Sequence, residues 1–367
     1  MKVGTVALIG RPNVGKSTLL NTLLGQKVAI ISDKPQTTRI SILGIKTTHK
    51  GQIIFVDNPG IHKPLHTLNK RMMSFVYSAL ETSDLICLLI DATERFGHGD
   101  EFVIETLKKV TTPLFLLINK VDIVKKENIL LIIDKYKDLL DFKEIIPISA
   151  LRGTNLDVLE KEIYKYLPEG EQLYDDETVT QLPLRFQLAE IIREKLLRRV
   201  EKELPFVTAV LIERMEERGA GEPEGKQAAE AAAPEKSGSV NSIFELRIVS
   251  PNLAEKAREP GIKQEERARN SRPERLAGQT ARRPAETRKK QQRRKVTYIS
   301  ATIFVERDNH RIIVIGRRGQ VIKMIGIEAR REIEDVLDSK VYLDLKVKVK
   351  EKWRDSPDIL DLIEGQR

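Results

Sequence analysis

The chain has 367 residues, 40% of them hydrophobic, enough for two or three domains with cores of their own. Its net charge of +9 favours polyanionic partners, nucleic acid first and an anionic membrane surface second. A single cysteine, Cys87, excludes an intrachain disulfide and suits a reducing compartment, and no apolar run reaches the ~18 residues of a membrane-spanning helix. Met1 leads straight into an apolar run, which does not fit a secretory leader, so a cytoplasmic location is expected.

The run at 3–10 reads as a strand and 17–24 as a helix. Between them Gly10, Arg11, Pro12, Asn13, Val14, Gly15, Lys16 and Ser17 fit the phosphate-binding pattern G-x-x-x-x-G-K-[ST], and Thr18 follows. Glycines let backbone N–H groups converge on an anion at a helix N-terminus, where the dipole also favours negative charge. Lys16 is expected to reach the β- and γ-phosphates, and Ser17 to ligate Mg²⁺. Further strands are expected at 41–48, 52–57, 85–91, 114–119 and 144–148, with helices near 68–81, 100–109, 129–139 and 156–166. This alternation predicts an α/β layer fold with a mostly parallel sheet, whose ligand lies beyond the carboxyl ends of the strands.

The candidate residues fall at such ends. Asp57, Asn58, Pro59 and Gly60 close one apolar run; the Asp57 carboxylate suits Mg²⁺ and the Gly60 N–H a γ-phosphate. The polar, Pro-broken segment 32–39 precedes them, and Thr38 is expected to join the metal shell only while the γ-phosphate is present. Ser17, Thr38 and Asp57 are thus the metal set, and Lys16, Thr38 and Gly60 the catalytic one. Asn119, Lys120 and Asp122 close the next run. A carboxylate at Asp122 can accept from both guanine N1–H and N2–H₂, a donor pair that adenine lacks, so GTP and GDP are expected to be preferred over ATP. Asn119 would tie this loop to the phosphate loop and the Lys120 stem would cover the base. Ser149 and Ala150 follow the last strand and offer a backbone donor to guanine O6. The position after Gly60 holds Ile61 where small GTPases keep a water-orienting glutamine, so hydrolysis should be slow in isolation.

The acidic, aperiodic stretch 168–183 reads as a linker. At 186–199 apolar residues at helical spacing with Arg and Lys between them predict a helix, then come strands near 205–213 and 297–306, the run 312–319, a helix at about 327–337, and a clean alternation of Val341, Leu343, Leu345, Val347 and Val349. Helix, strand, strand, G-x-x-G helix, helix, strand is the order of a smaller α+β unit, the type II KH domain. Its loop here is Gly316, Arg317, Arg318 and Gly319. Such a loop clamps about four nucleotides. Arg317, Arg318 and Lys323 add phosphate attraction. Ile313, Ile315, Val321 and Ile325 are expected to line a base groove. An insertion at about 217–295 carries 19 basic and 12 acidic residues, seven of the nine net charges, and only 242–253 looks capable of local structure. The organisation expected is therefore a nucleotide domain at 1–167, a linker at 168–183 and an RNA-binding domain at 184–367.

A phosphate-loop GTPase followed by a KH domain resembles the Era family. The resemblance covers most of the chain, including Gln36 to Arg39, the helix between Pro183 and Pro205, and the tail around Trp353 and Arg354. It implies GTP hydrolysis, binding near the 3′ end of 16S ribosomal RNA, and a role in maturing the small (30S) ribosomal subunit. A monomer and peripheral contact with the inner membrane are also expected. Two departures stand out: Asn58 where the family usually has Thr, and Arg317 where it usually has Lys. In related GTPases an Asn at the Asn13 position coordinates K⁺. Asn13→Ala should therefore abolish any stimulation by potassium, measured as phosphate release in KCl against NaCl; undiminished stimulation would remove that role.

Overall fold

The computed structural model describes residues 1–218, 244–248 and 296–366. The basic insertion expected at 217–295 lies outside them, save 217, 218 and 244–248.

The first sheet has six strands: β1 (Lys2–Gly10), β2 (Ile42–Thr48), β3 (Gly51–Asp57), β4 (Leu85–Asp91), β5 (Leu114–Asn119) and β6 (Phe142–Pro147), in spatial order β2-β3-β1-β4-β5-β6. All neighbours are parallel except β2, which runs antiparallel to β3. Every residue of β3, β4 and β5 is buried, as a strand covered on both faces requires. Helices α1 (Lys16–Leu24) and α5 (Leu156–Tyr166) cover one face; α2 (Thr67–Thr82), α3 (His98–Leu107) and α4 (Lys126–Tyr136) cover the other. Helix α4 starts three residues before the expected 129. Glu127 sits in its first turn, where the helix dipole favours an acid, and Leu130 and Leu131 are exposed.

The expected linker is pinned to this sheet. The Val3 N–H donates to Pro168 O at 3.0 Å, and the Ile45 N–H to Val179 O at 2.8 Å. Buried Gln52 accepts from the Leu173 and Tyr174 N–H groups, both at 3.0 Å, and donates to Tyr174 O at 2.7 Å.

Next come α6 (Leu184–Leu197), β7 (Ala209–Arg218), β8 (Phe244–Ile248), β9 (Val296–Val305), α7 (Asp308–Ile315), α8 (Gln320–Leu337), β10 (Lys340–Val349) and α9 (Pro357–Glu364). The second sheet has the order β7-β9-β10-β8, with β9 and β10 parallel and the outer pairs antiparallel. Val341, Leu343, Leu345 and Val347 face inward onto Ile322, Ile325, Ala329 and Ile333 of α8, all fully buried. Three expectations shift here. Pro205 belongs to a 3₁₀ turn (Leu204–Phe206), so β7 begins at Ala209. Helix α8 begins directly after Gly319, and Ile325 lies in the core rather than in a groove. Within 242–253, β8 pairs along the edge of β10, Leu246 opposite Leu345, and closes a side that the three-strand expectation left open.

Gln52→Ala would leave the Leu173 and Tyr174 N–H groups to water. It should cost about 1–2 kcal/mol in urea unfolding and speed proteolysis within 168–183.

Candidate nucleotide and nucleic-acid sites

The phosphate loop joins β1 to α1 with three residues at positive φ: Gly10 at 151°, Asn13 at 65° and Gly15 at 102°. Glycine is the residue that tolerates such angles. At Gly15 a Cβ would also lie 2.3 Å from the Asn119 amide nitrogen. Lys16 is buried and its ammonium donates to Gly10 O (3.2 Å) and Arg11 O (2.9 Å). Burial pulls its pKa down to about 8, against the opposing charge of Asp57. Arg11 turns outward to Asp100 and Glu94, each at 3.0 Å. The Asn13 amide donates to Asp33 O at 2.7 Å and so ties the loop to segment 32–39. Pro12 closes on Gly60: a Cβ at Gly60 would lie 2.5 Å from Pro12 N. Val14 is buried, and Thr18 is half-buried in the first turn of α1.

Ser17, Thr38 and Asp57 meet at the end of β3. Ser17 Oγ donates to Asp57 Oδ2 at 2.6 Å and lies 3.0 Å from Thr38 Oγ1. Thr37 instead donates to Lys34 O at 2.6 Å. Asp57 is fully buried and its Oδ1 has no hydrogen-bond partner. Burial pushes its carboxyl up to about 6, although Lys16, Ser17 and Thr38 pull the other way. A raised pKa adds stability below the ordinary 3.8 and has lost it once the pH rises through about 6. At neutral pH the fold thus carries a buried, partly unpaired anion beside two hydroxyls. That donor set fits Mg²⁺, a hard cation that takes few protein oxygens and leaves other positions to phosphate and water. Among the described residues no cluster of three or more His, Cys, Asp or Glu offers a metal site without a phosphate.

The Asn58 side chain faces away from this cluster, accepting from Ser41 Oγ (2.7 Å) and donating to Val56 O (3.0 Å), so only its backbone borders the site. Pro59 and Ile61 are buried, and the Ile61 N–H donates to Gly10 O at 3.0 Å. No side chain at 61 can orient a water. His62 accepts from the Gln36 amide at 3.2 Å and its other ring nitrogen donates to Gly60 O at 2.7 Å.

Asn119 is the bridge between loops. Its amide donates to Val14 O at 2.8 Å and its oxygen accepts from the Ala150 N–H at 2.9 Å. Asp122 is exposed and accepts from Ser149 Oγ at 2.7 Å. Lys120, at φ 66°, pairs with Asp91. Asp91 went unread in the sequence; its signal is an acid closing the apolar run 85–90, the same pattern that marked Asp57. Ala150 O also accepts from Thr22 Oγ1 of α1 at 2.7 Å.

At the other sheet, Gly316 (φ 73°), Arg318 (φ 53°) and Gly319 (φ 75°) make a tight turn into α8. A Cβ at Gly316 would lie 2.3 Å from Val321 Cγ2. Arg317, Arg318 and Lys323 are exposed, and so are Ile312, Ile313 and Met324 around them, with Ile315 and Val321 half-buried. The exposed apolar side chains beside the turn thus include Ile312 and Met324, whereas Ile325, expected among them, is buried. Among the described residues no helix is long and apolar enough to cross a membrane.

Residues 5–120 match a family described as a 50S ribosome-binding GTPase, and residues 285–354 match the KH domain family. Among solved structures, one of Era with MgGDPNP and nucleotides 1506–1542 of 16S ribosomal RNA is similar at 36% identity and a TM-score of 0.76, covering 99% of this chain and 98% of that one. A variant of Aquifex aeolicus Era bound to GDP·AlF₄⁻ is also 36% identical, with a TM-score of 0.74 and 99% of both chains covered.

A metal held at this cluster would need the Asp57 carboxylate ionised. Mg²⁺-dependent retention of nucleotide should therefore weaken by about tenfold per pH unit below about 6, while retention measured in EDTA stays flat; parallel profiles would contradict this.

Proposed function

The chain belongs to the Era family of GTPases, and from that premise we propose that it is a GTP-hydrolysing switch that binds 16S ribosomal RNA near its 3′ end and assists maturation of the 30S subunit. The observation that carries this reading is the presence in one chain of two built sites. One is the loop set held by Asn119 with Asp122 open beside it; the other is an exposed Arg317–Arg318 turn at the N-terminus of α8.

On this reading Asp122 selects guanine and Lys120, held by Asp91, covers the base. Lys16 would exchange the carbonyls of its own loop for the phosphates, and Ser17, Thr38 and Asp57 would hold Mg²⁺, whose charge would offset that of the phosphates. Gly60 gives its N–H to the γ-phosphate. Catalysis is then positioning and charge stabilisation, and with Ile61 in place hydrolysis is slow until a partner or a monovalent cation such as K⁺ contributes. The working division is a nucleotide unit at 1–167, a linker at 168–183 and a KH unit at 184–367, acting as a cytoplasmic monomer.

An RNA of the 3′-terminal 16S sequence should bind more tightly with a non-hydrolysable GTP analogue than with GDP. Replacing Arg317 and Arg318 by Ala should weaken that binding and lower the salt slope by about 1.4. The alternative is a membrane-associated signalling GTPase without a specific RNA substrate: preference for anionic vesicles over RNA would favour it and overturn the proposal, as would ATP displacing GTP from the pocket.

A further inference from the structure

Trp353 is the chain's only tryptophan. It is fully buried, and its Nε1 donates to Val207 O at 2.9 Å. Two segments from the nucleotide side converge on it. From segment 32–39, the Arg39 guanidinium lies 5.6 Å from the ring centroid. Its terminal nitrogens donate to Thr208 O at 2.8 Å and Pro205 O at 2.9 Å. From α2, the helix that follows Gly60, Leu68 and Met72 pack into the same small cluster as Trp353, Ala209, Phe304 and Leu360. The loop that brings Thr38 to the metal site and the helix that follows Gly60 thus end on one indole.

Arg39 directly follows Thr38, so their Cα atoms are about 3.8 Å apart. A shift of Thr38 by more than a fraction of that distance must move Arg39. The carbonyls that Arg39 holds lie just before β7. Ala209, the first residue of β7, pairs with Phe304 near the end of β9, and β9 runs into α7 and the Gly316–Gly319 turn. Planar guanidinium reaches two carbonyls at once, which an ammonium on a flexible stem does not do in the same geometry. The Arg39 Nε has no hydrogen-bond partner, so the grip rests on these two carbonyls and the ring.

We propose that Arg39 is a positioning residue: by clamping the Pro205 and Thr208 carbonyls beside Trp353, it transmits the state of the nucleotide site to the RNA-binding unit. This rests on the switch reading above. As interface packing alone, Arg39 would stabilise the chain without answering to the nucleotide.

The indole is its own probe. Trp353 emission is recorded on the full chain with Mg²⁺ and either GDP or a non-hydrolysable GTP analogue, beside RNA affinity in both states. In the unmodified chain, exchanging GDP for the analogue changes the emission. Arg39→Ala abolishes that change and cuts the nucleotide-dependent ratio of RNA affinities about tenfold, equivalent to about 1.4 kcal/mol of coupling, with GDP affinity unchanged. Arg39→Lys, which keeps the charge without the fork, recovers only part of the change. An intact emission change in Arg39→Ala overturns the relay, and so does equal weakening of RNA binding in both nucleotide states. Should RNA affinity in the unmodified chain be indifferent to nucleotide, the switch reading itself fails; failure confined to the variant counts against Arg39 alone.

Discussion

A buried carboxylate governs the nucleotide site. Asp57 closes β3 with one oxygen bonded to Ser17 and the other unpartnered, and Thr38 lies against it from a loop of no regular structure. Burying an anion is costly unless a cation or enough donors answer it. A cation beside Asp57 would relieve that cost, and the Thr38 hydroxyl already stands at the cluster, 3.5 Å from Asp57 Oδ2 and 3.0 Å from Ser17 Oγ. The phosphate loop, the Asp57 cluster and segment 32–39 therefore meet at one buried charge.

The same segment also forms the seam with the second sheet. Arg193 of α6 donates to Thr37 O, and the Ile31 N–H donates to Glu194 Oε1 at 3.2 Å. Glu194 is joined to Lys27 at 2.6 Å and to Lys195 at 2.9 Å, and Glu332 of α8 binds both lysines. Burial alone would raise the Glu194 pKa; the hydrogen bonds from Lys195 and Lys27 outweigh it and hold the carboxyl down to about 2. A depressed pKa contributes stability that is present above the ordinary 4.5 and is lost as the pH falls toward 2. The carboxyl is thus ionised across the physiological range, and this part of the seam is a charge network that lies alongside the apolar cluster around Trp353. Glu332 sits thirteen residues along α8 from Gly319, roughly 20 Å at helical rise, so the seam and the Gly316–Gly319 turn are carried by one helix.

What could be read from sequence was chemistry carried by neighbours in the chain. Gly10 to Ser17, Asn119 to Asp122 and Gly316 to Gly319 each declare themselves within eight residues, and the period of two in β10 fixed its inward face. Ile325 was misplaced although its signal was present: Ile322, Ile325, Ala329 and Ile333 follow the helical stripe that marks a buried face. Contacts between distant residues had no local signature. Nothing near Gln52 announces that it will hold a linker more than a hundred residues away, and nothing near Arg39 points to Trp353. The strand β8 was visible only as a short apolar stretch, because its pairing with β10 depends on an open edge that the fold supplies.

If one loop serves both metal and interface, its order and that of the RNA turn must change together. Amide hydrogen exchange across residues 37–40 and 316–319, in Mg²⁺ with a GTP analogue and then with GDP, measures both at once. Slowed exchange in both stretches with the analogue, lost in both on chelating Mg²⁺, is the result this account requires. Protection at 37–40 with no response at 316–319 would show that the two sites are independent, and the account would be wrong.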